Sequence, residues 1–367
     1  MRVLALFFLV LFAAAAGAQQ ADPDQLLRAA ISEQQRGDYT ASIRDYRKFL
    51  EMHPDDVEAK VNLGAALVHV GQFDEGIAMY RSALPSLSDK NPVLLNLGLA
   101  YYKKGDFARA QEQFEAVHKA EPRDPRIATL LGDTDVKLKK PEQAIAALEP
   151  LDAANSDNMD FQYVYGTALI ETGRRRDGVL RIEKVADARN AADAYLLAGA
   201  IRLEMQDSDL ARKDLEAALR LNPKLPNIYT LVGTARDKTG DAKDAEPAFR
   251  EALKINADDF DANLYLGTIL YKQRQLDEAK PLLDRAVKLK PSNTVARYEW
   301  GMLMSTSGEY EAAAQELEGV IKDDPKWLDP HVELASLYYK LHRPQDGARE
   351  REVVERLTAE QQAHGPK

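Results

Sequence analysis

Apolar residues recur along the chain in pairs of stripes with helical spacing. One such pair comprises Leu94, Leu97 and Tyr101, followed by Phe114 and Val117. Residues three or four positions apart lie on the same face of a helix, so each stripe predicts one amphipathic helix. Short turns separate the stripes: Gly37-Asp38, Gly71-Gln72, Gly105-Asp106, Gly240-Asp241 and Gly308-Glu309. Glycine can end one helix in the left-handed conformation and the polar residue can cap the next, so the pattern predicts helix hairpins.

Small residues mark a fixed period along the chain. The first column is Ala30, Gly64, Gly98, Gly132, Gly166, Gly199, Gly233, Gly267, Gly301 and Ala335. The second column is Ser42, Gly76, Ala110, Ala144, Gly178, Ala211, Ala245, Ala279, Ala313 and Gly347. In both columns successive members stand about 34 residues apart, and a single step is shorter by one position. Small side chains let the two helices of a hairpin approach closely, so the period predicts ten hairpins stacked in series.

The repeated residues resemble the tetratricopeptide repeat (TPR) family. The match is closest in residues 91–124, at Asn96-Leu97-Gly98, Tyr101, Gly105-Asp106-Phe107, Ala110, Phe114 and Pro122. The resemblance implies an all-α fold, an α-solenoid of about ten helix–turn–helix repeats that form a right-handed superhelix with a concave groove. Repeats are expected near 23–56, 57–90, 91–124, 125–158, 159–191, 192–225, 226–259, 260–293, 294–327 and 328–361. Lys139, Arg274 and His342 replace the turn glycine, which leaves the geometry of those three turns open.

Residues 1–18 have the pattern of a cleavable signal peptide. Arg2 precedes an uncharged stretch, residues 3–18, which ends in Ala16-Gly17-Ala18. As a helix this stretch would be about 24 Å long, shorter than the ~30 Å hydrocarbon core of a membrane. We therefore expect a secreted protein, in the bacterial periplasm, with cleavage after Ala18; an uncleaved membrane anchor is the alternative. Residues 19–361 would form the solenoid and residues 362–367 a disordered tail.

The composition excludes several classes of function. The net charge of −10 disfavours nucleic acid as a partner, because phosphate contacts need clustered Lys and Arg. The chain has no cysteine, which removes disulfides, thiolate metal sites and cysteine nucleophiles. We find no nucleophile elbow, phosphate-binding glycine loop or paired-histidine metal motif. The sequence therefore predicts no enzyme activity, no cofactor and no metal, and no membrane span in the mature chain.

The resemblance places a binding groove on the first helix of each pair. The groove residues it implies are Leu95, Leu99, Tyr102, Tyr163, Ile170, Leu196, Leu264, Tyr271, Lys272, Tyr298, Tyr339 and Lys340. Tyrosine is a suitable anchor because it offers a broad contact area together with one hydroxyl group. The leading hypothesis is a non-enzymatic scaffold of the cell envelope that binds a protein or peptide segment in this groove. The alternative is a structural subunit of an envelope export or surface-polymer assembly, which would use the convex face or the ends of the array.

Overall fold

The computed structural model describes residues 22–364, and every regular element in that range is a helix. The prediction of an all-α fold is therefore confirmed. The predicted signal peptide, residues 1–18, lies outside the described residues, as do the last three residues of the predicted tail. The final helix continues to His364, so residues 362–364 of that predicted tail are helical.

The chain divides into two compact units, residues 1–168 and 169–367. Described in the first unit are α1 (Pro23–Gln35), α2 (Tyr39–Met52), α3 (Val57–His69), α4 (Phe73–Ala83), α5 (Asn91–Lys104), α6 (Phe107–Ala120), α7 (Pro125–Lys137), α8 (Pro141–Leu148) and most of α9 (Met159–Glu171). Short 3₁₀ segments, Leu84–Ser86 and Glu149–Ala154, follow α4 and α8. Each contains a proline near its start, where the missing N–H prevents the α-helix from continuing unchanged.

The second unit continues the same alternation. It contains α10 (Arg175–Arg189), α11 (Ala192–Glu204), α12 (Ser208–Leu221), α13 (Ile228–Lys238), α14 (Ala242–Ile255), α15 (Phe260–Lys272), α16 (Leu276–Leu289), α17 (Thr294–Thr306), α18 (Tyr310–Asp323), α19 (Leu328–Lys340) and α20 (Pro344–His364). Consecutive helices pack against one another from α1 to α8 in the first unit and from α10 to α20 in the second, as in a helical solenoid. We call the odd-numbered helices first helices and the even-numbered helices second helices.

The turns inside the hairpins share one backbone conformation. Gly105 has a φ of 85°, and the residues that replace glycine, Lys139, Arg274 and His342, have φ values of 60°, 66° and 57°. All four lie in the left-handed region, which ordinary residues adopt at a cost. The turn geometry that the sequence left open is thus the same with and without glycine.

The polar residue after the turn caps the second helix in only part of the repeats. The Asp38 and Asp106 carboxylates accept hydrogen bonds from the backbone N–H groups of Ala41 and Arg109. Gln72, Asp241 and Glu309 occupy the same place without a side-chain capping bond. Capping therefore supports the hairpins locally, while packing between helices must supply most of their stability.

Close approach of paired helices depends on the small residues in the first column. A Cβ atom built on Gly98 of α5 would lie 2.6 Å from Cε1 of Phe114 on α6. The Phe114 ring is fully buried, so it has no free space into which to move. Glycine is required here by the closeness of the two helices rather than by backbone conformation.

We expect Gly98→Leu to lower the free energy of unfolding by about 1–3 kcal/mol, because the new side chain overpacks the α5–α6 crossing. Urea denaturation followed by circular dichroism measures the loss, and hydrogen exchange should place it in α5 and α6. Ala116→Leu, at an exposed position on α6, is the control and should change stability by less than about 0.5 kcal/mol. A Gly98→Leu protein as stable as the unmodified chain would show that the crossing is not tightly packed.

Candidate functional site

The groove residues predicted on the first unit lie on α5 and α9. Leu95, Leu99 and Tyr102 are half-buried and pack against the core formed by α5 and its neighbours. Tyr163 on α9 is more open, with 37% of its surface exposed. Each of these side chains therefore presents part of its surface to solvent, and none is completely buried.

Tyr102 is held by polar contacts as well as by packing. Its hydroxyl group donates a hydrogen bond to the Asp133 carboxylate on α7. The Lys137 ammonium group lies 3.7 Å from the same carboxylate and 5.8 Å from the centre of the Tyr102 ring. Burial, and then the contact with Asp133, raises the pKa of Tyr102. The ring is thus fixed in position with its hydroxyl group already engaged.

In the second unit, one of the predicted groove residues does not line the surface. Leu264 on α15 is only 4% exposed and belongs to the core shared by α14, α15, α16 and α17. Its side chain packs among the neighbouring helices, so it contributes to the core and is not available to a partner. Ile170 on α9 and Leu196 on α11 are half-buried.

Tyr271, Lys272 and Tyr298 come together on α15 and α17. Lys272 is exposed, and its charge acts on Glu299 of α17. The Tyr298 ring centre lies 4.7 Å from that of Trp327, at the start of α19, with the two planes tilted by 43°. Aromatic pairs at this separation pack favourably, so Tyr298 and Trp327 form one continuous aromatic surface.

The charges of three carboxylates act on Tyr298: Glu299 on α17, and Asp329 and Glu333 on α19. Burial raises the pKa of Tyr298 to about 12, and the negative charges of Asp329, Glu299 and Glu333 contribute to the rise. Burial also raises the pKa of Glu299. The Glu333 carboxylate accepts a hydrogen bond of 2.6 Å from the Ser305 hydroxyl. We refer to Tyr298, Trp327, Glu299, Asp329 and Glu333 as the aromatic–acid cluster.

Tyr339 and Lys340 lie apart from this cluster, near the end of α19. The Arg351 guanidinium group of α20 lies 4.4 Å from the centre of the Tyr339 ring. The Lys340 ammonium group lies 4.9 Å from the ring centre of Tyr310. A cavity of about 520 Å³ is lined here by Val332, Ala335, Ser336, Tyr339, Lys340, Arg351, Val354 and Glu355. The predicted Tyr–Lys pairs thus fall in two separate places.

The sequence did not single out the carboxylates or Trp327 as part of a site. Trp327 packs against Tyr298 and remains half-buried rather than enclosed. Glu299 and Glu333 hold the same phase in adjacent repeats. Because they occupy the same position in consecutive repeats, the sequence could have placed both carboxylates on the first-helix surface.

A second cavity lies beside the N-terminus of α13, which begins later than the repeat period predicts. The repeat was predicted to begin at residue 226, but α13 begins at Ile228, after Pro226 and a left-handed Asn227 with a φ of 57°. A cavity of about 390 Å³ lies there, lined by Pro223, Lys224, Leu225, Pro226, Asn227, Ile228, Tyr229, Thr230, Ala252, Ile255, Asn256 and Asp259. Its lining is mainly apolar, and Ile255 is 72% exposed.

Neither a metal centre nor a membrane-crossing helix is present in the part of the chain that the structure describes. No group of three or more His, Asp or Glu side chains between residues 22 and 364 could hold a metal ion. Over the same range, no helix is both long and apolar enough to cross a membrane.

Several solved structures are similar to this chain. The chain is 22% identical to MamA from Desulfovibrio magneticus RS-1, with 46% of this chain and 96% of MamA covered and a TM-score of 0.42. It is 16% identical to the C-terminal part of a TPR repeat-containing protein from Cytophaga hutchinsonii, with coverages of 63% and 95% and a TM-score of 0.49. It is 22% identical to YrrB, described as a TPR protein with an unusual peptide-binding site, with coverages of 49% and 93% and a TM-score of 0.42.

A curated relative was also found. Protein FlbA of Caulobacter vibrioides is 26% identical over 208 residues, which are 56% of this chain and 35% of FlbA. The match therefore spans about a third of the length of that relative.

Family models match along much of the chain. Three models described as tetratricopeptide repeat match residues 27–92, 192–225 and 238–298. A fourth, described as anaphase-promoting complex, cyclosome, subunit 3, matches residues 82–151. The three tetratricopeptide matches fall in both units, and each includes at least one complete helix hairpin described above. The chain belongs to the tetratricopeptide repeat family.

Proposed function

We propose that this protein is a non-enzymatic scaffold of the bacterial cell envelope that binds an extended segment or a helix of a partner protein on the first-helix surface. TPR proteins typically mediate protein–protein interaction. The observation that carries the proposal is a set of half-buried aromatic and aliphatic side chains in each unit, on α5 in the first unit and on α15 and α17 in the second. Such side chains are pre-positioned by packing, so they offer contact area at little cost in conformational entropy.

Location in the periplasm is part of the same proposal. Its support is the sequence pattern of residues 1–18, with one basic residue, an uncharged stretch and a small-residue cleavage pattern. A partner is accordingly to be sought among proteins of the cell envelope.

A second candidate, binding through the second helices, has its own support. The second helices of the second unit expose Leu180, Leu210, Leu221 and Ile255. Leu221 and Ile255 hold the same phase in adjacent repeats, and Ile255 borders the cavity at the start of α13. Exposed apolar side chains at a common phase are typical of contact surfaces. This alternative corresponds to a structural subunit of an envelope export or surface-polymer assembly.

We expect Tyr271→Ser combined with Tyr339→Ser to weaken binding of the partner at least about thirtyfold, because buried tyrosines at interfaces carry much of the binding energy. The partner is first captured from a native envelope extract and identified by mass spectrometry. Its dissociation constant is then measured with purified proteins. Circular dichroism confirms that the variant retains its helices.

Leu221→Ser with Ile255→Ser is the matched control on the second helices. Under the leading proposal, this control changes the dissociation constant by less than about threefold. The opposite result, with loss of binding only in the control, would transfer the function to the second-helix surface.

A further inference from the structure

Several aromatic rings of the second unit have a Lys or Arg group of the same chain over their faces. The pairs are Lys290 with Phe260, Lys340 with Tyr310, Arg343 with Tyr338 and Arg351 with Tyr339, at 4.0 to 4.9 Å from the ring centres. Cations are attracted to the faces of aromatic rings because the ring quadrupole is negative there. Among the described residues, no Lys or Arg group lies over the Tyr298 or the Trp327 ring. The aromatic–acid cluster therefore lacks the cation that its neighbours have.

Two carboxylates of the cluster also lack cationic partners among the described residues. On the second helices, Glu246 and Glu278 both pair with Arg250, at 2.9 Å. In contrast, Glu299 and Asp329 form no hydrogen bond and no ion pair within 4 Å, as far as the described residues show. The charges of Glu299 and Asp329 are thus not compensated by an ion pair within the described part of the chain.

The local balance of charge is negative. Lys272 is the cation whose charge acts on Glu299, whereas the charges of Glu299, Asp329 and Glu333 all act on Tyr298. The partner of Glu333 is the neutral Ser305 hydroxyl, which compensates no charge. The carboxylates that act on this aromatic surface thus outnumber the cation, an arrangement that attracts a cationic group and repels an anionic one.

We propose, building on the proposed function, that the aromatic–acid cluster binds a lysine or arginine side chain of the partner segment. The aliphatic part of that side chain lies against Tyr298 and Trp327, and its cationic end donates hydrogen bonds to Glu299 and Asp329. Hydrogen bonds between ions are stronger than those between neutral groups, and the apolar stem gains from contact with the rings. The partner segment is thus defined chemically as basic at the position that reaches α17 and α19.

The test is a selection of random dodecapeptides, displayed on phage, against the full chain. One variant combines Glu299→Gln with Asp329→Asn, which removes both charges and keeps the size of the side chains. The matched control combines Asp277→Asn with Glu311→Gln, which removes two exposed charges from α16 and α18. A third protein carries Tyr271→Ser with Tyr339→Ser and tests the first-helix surface as a whole.

We expect peptides selected by the unmodified chain to be enriched in Lys and Arg. The affinity of the strongest peptide, measured by fluorescence anisotropy, should fall about tenfold in the Glu299→Gln, Asp329→Asn protein and remain unchanged in the control. Peptides that bind, depend on Tyr271 and Tyr339, and show no basic enrichment or no loss with the carboxamide variant would overturn this inference and leave the proposed function standing. Failure to select any peptide, or selection of peptides that no first-helix variant weakens, would overturn both.

Discussion

Replacing Arg202 by methionine is expected to lower the free energy of unfolding by about 3–5 kcal/mol. The Arg202 side chain on α11 is 4% exposed, and its guanidinium group pairs with the fully buried Asp214 of α12. The same guanidinium group lies 2.7 Å from the Glu183 carboxylate of α10. Methionine fills much of the same volume but leaves the Asp214 charge buried without its cation. Urea denaturation should report the loss, and hydrogen exchange should locate it in α10, α11 and α12.

Two further variants distinguish the destabilisation caused by an unpaired buried charge from the net stabilisation that the ion pair provides. Arg202→Met combined with Asp214→Leu should recover most of the lost stability, since a buried ion pair is often replaced by apolar residues at little cost. Arg285→Met removes an exposed pair with Asp258, in which the Arg285 Nε atom lies 2.8 Å from the carboxylate, and should cost less than about 1 kcal/mol. If Arg202→Met lowered the free energy of unfolding as little as Arg285→Met, the contacts of Arg202 with Asp214 and Glu183 would stabilise the protein no more than an exposed ion pair.

The helical fold could be predicted from the sequence because its determinants are local and repeated. The stripe that contains Leu97 and Tyr101 forms α5, and the stripe that contains Phe114 and Val117 forms α6. Gly98, in the small-residue column, lies against Phe114 as the close crossing requires. A single short apolar stripe can be ambiguous between a helix and a strand, and ten copies of one pattern reduce that ambiguity.

The buried polar clusters could not be predicted in the same way, because their members are distant in sequence. Arg202 and Asp135 hold the phase at which other repeats have Leu67, Tyr101 or Leu270. A charged residue in an apolar column was a visible signal. Its partner was not visible, since the partner depends on which side chains the packed helices bring together.

The candidate site was predictable only in part, for a related reason. The resemblance placed Tyr271 and Tyr298 on the first-helix surface, where both are half-buried, but it also placed Leu264 there, which is buried. Repeat phase specifies the side of a helix and not the depth of a side chain among its neighbours. The late start of α13 likewise depends on Pro226 and the left-handed Asn227, which the repeat period does not reveal.

Asp135 is expected to make stability fall as pH rises from about 4 to about 6. Its side chain is 2% exposed and accepts a hydrogen bond of 2.5 Å from the Gln111 amide group. Burial raises the pKa of Asp135 to about 6, against the lowering effects of Gln111 and Lys140. A raised carboxyl pKa means that the folded state holds the proton more tightly than the unfolded state. The protonated Asp135 therefore contributes roughly 3 kcal/mol to the free energy of unfolding below about pH 4, and most of this contribution is lost by about pH 6.

Asp135→Asn should remove this dependence, because asparagine keeps an oxygen that accepts from Gln111 and carries no charge to bury. Near pH 7 the variant should be more stable than the unmodified chain, by about 1–3 kcal/mol. The quantity to measure is the difference in unfolding free energy between the two proteins at several pH values, since other buried carboxyl groups, such as Asp214, titrate in both. Glu112→Gln, an exposed change on α6, should give a flat difference near zero. A flat difference for Asp135→Asn as well would mean that the Asp135 carboxyl group ionises as readily in the folded protein as in the unfolded chain.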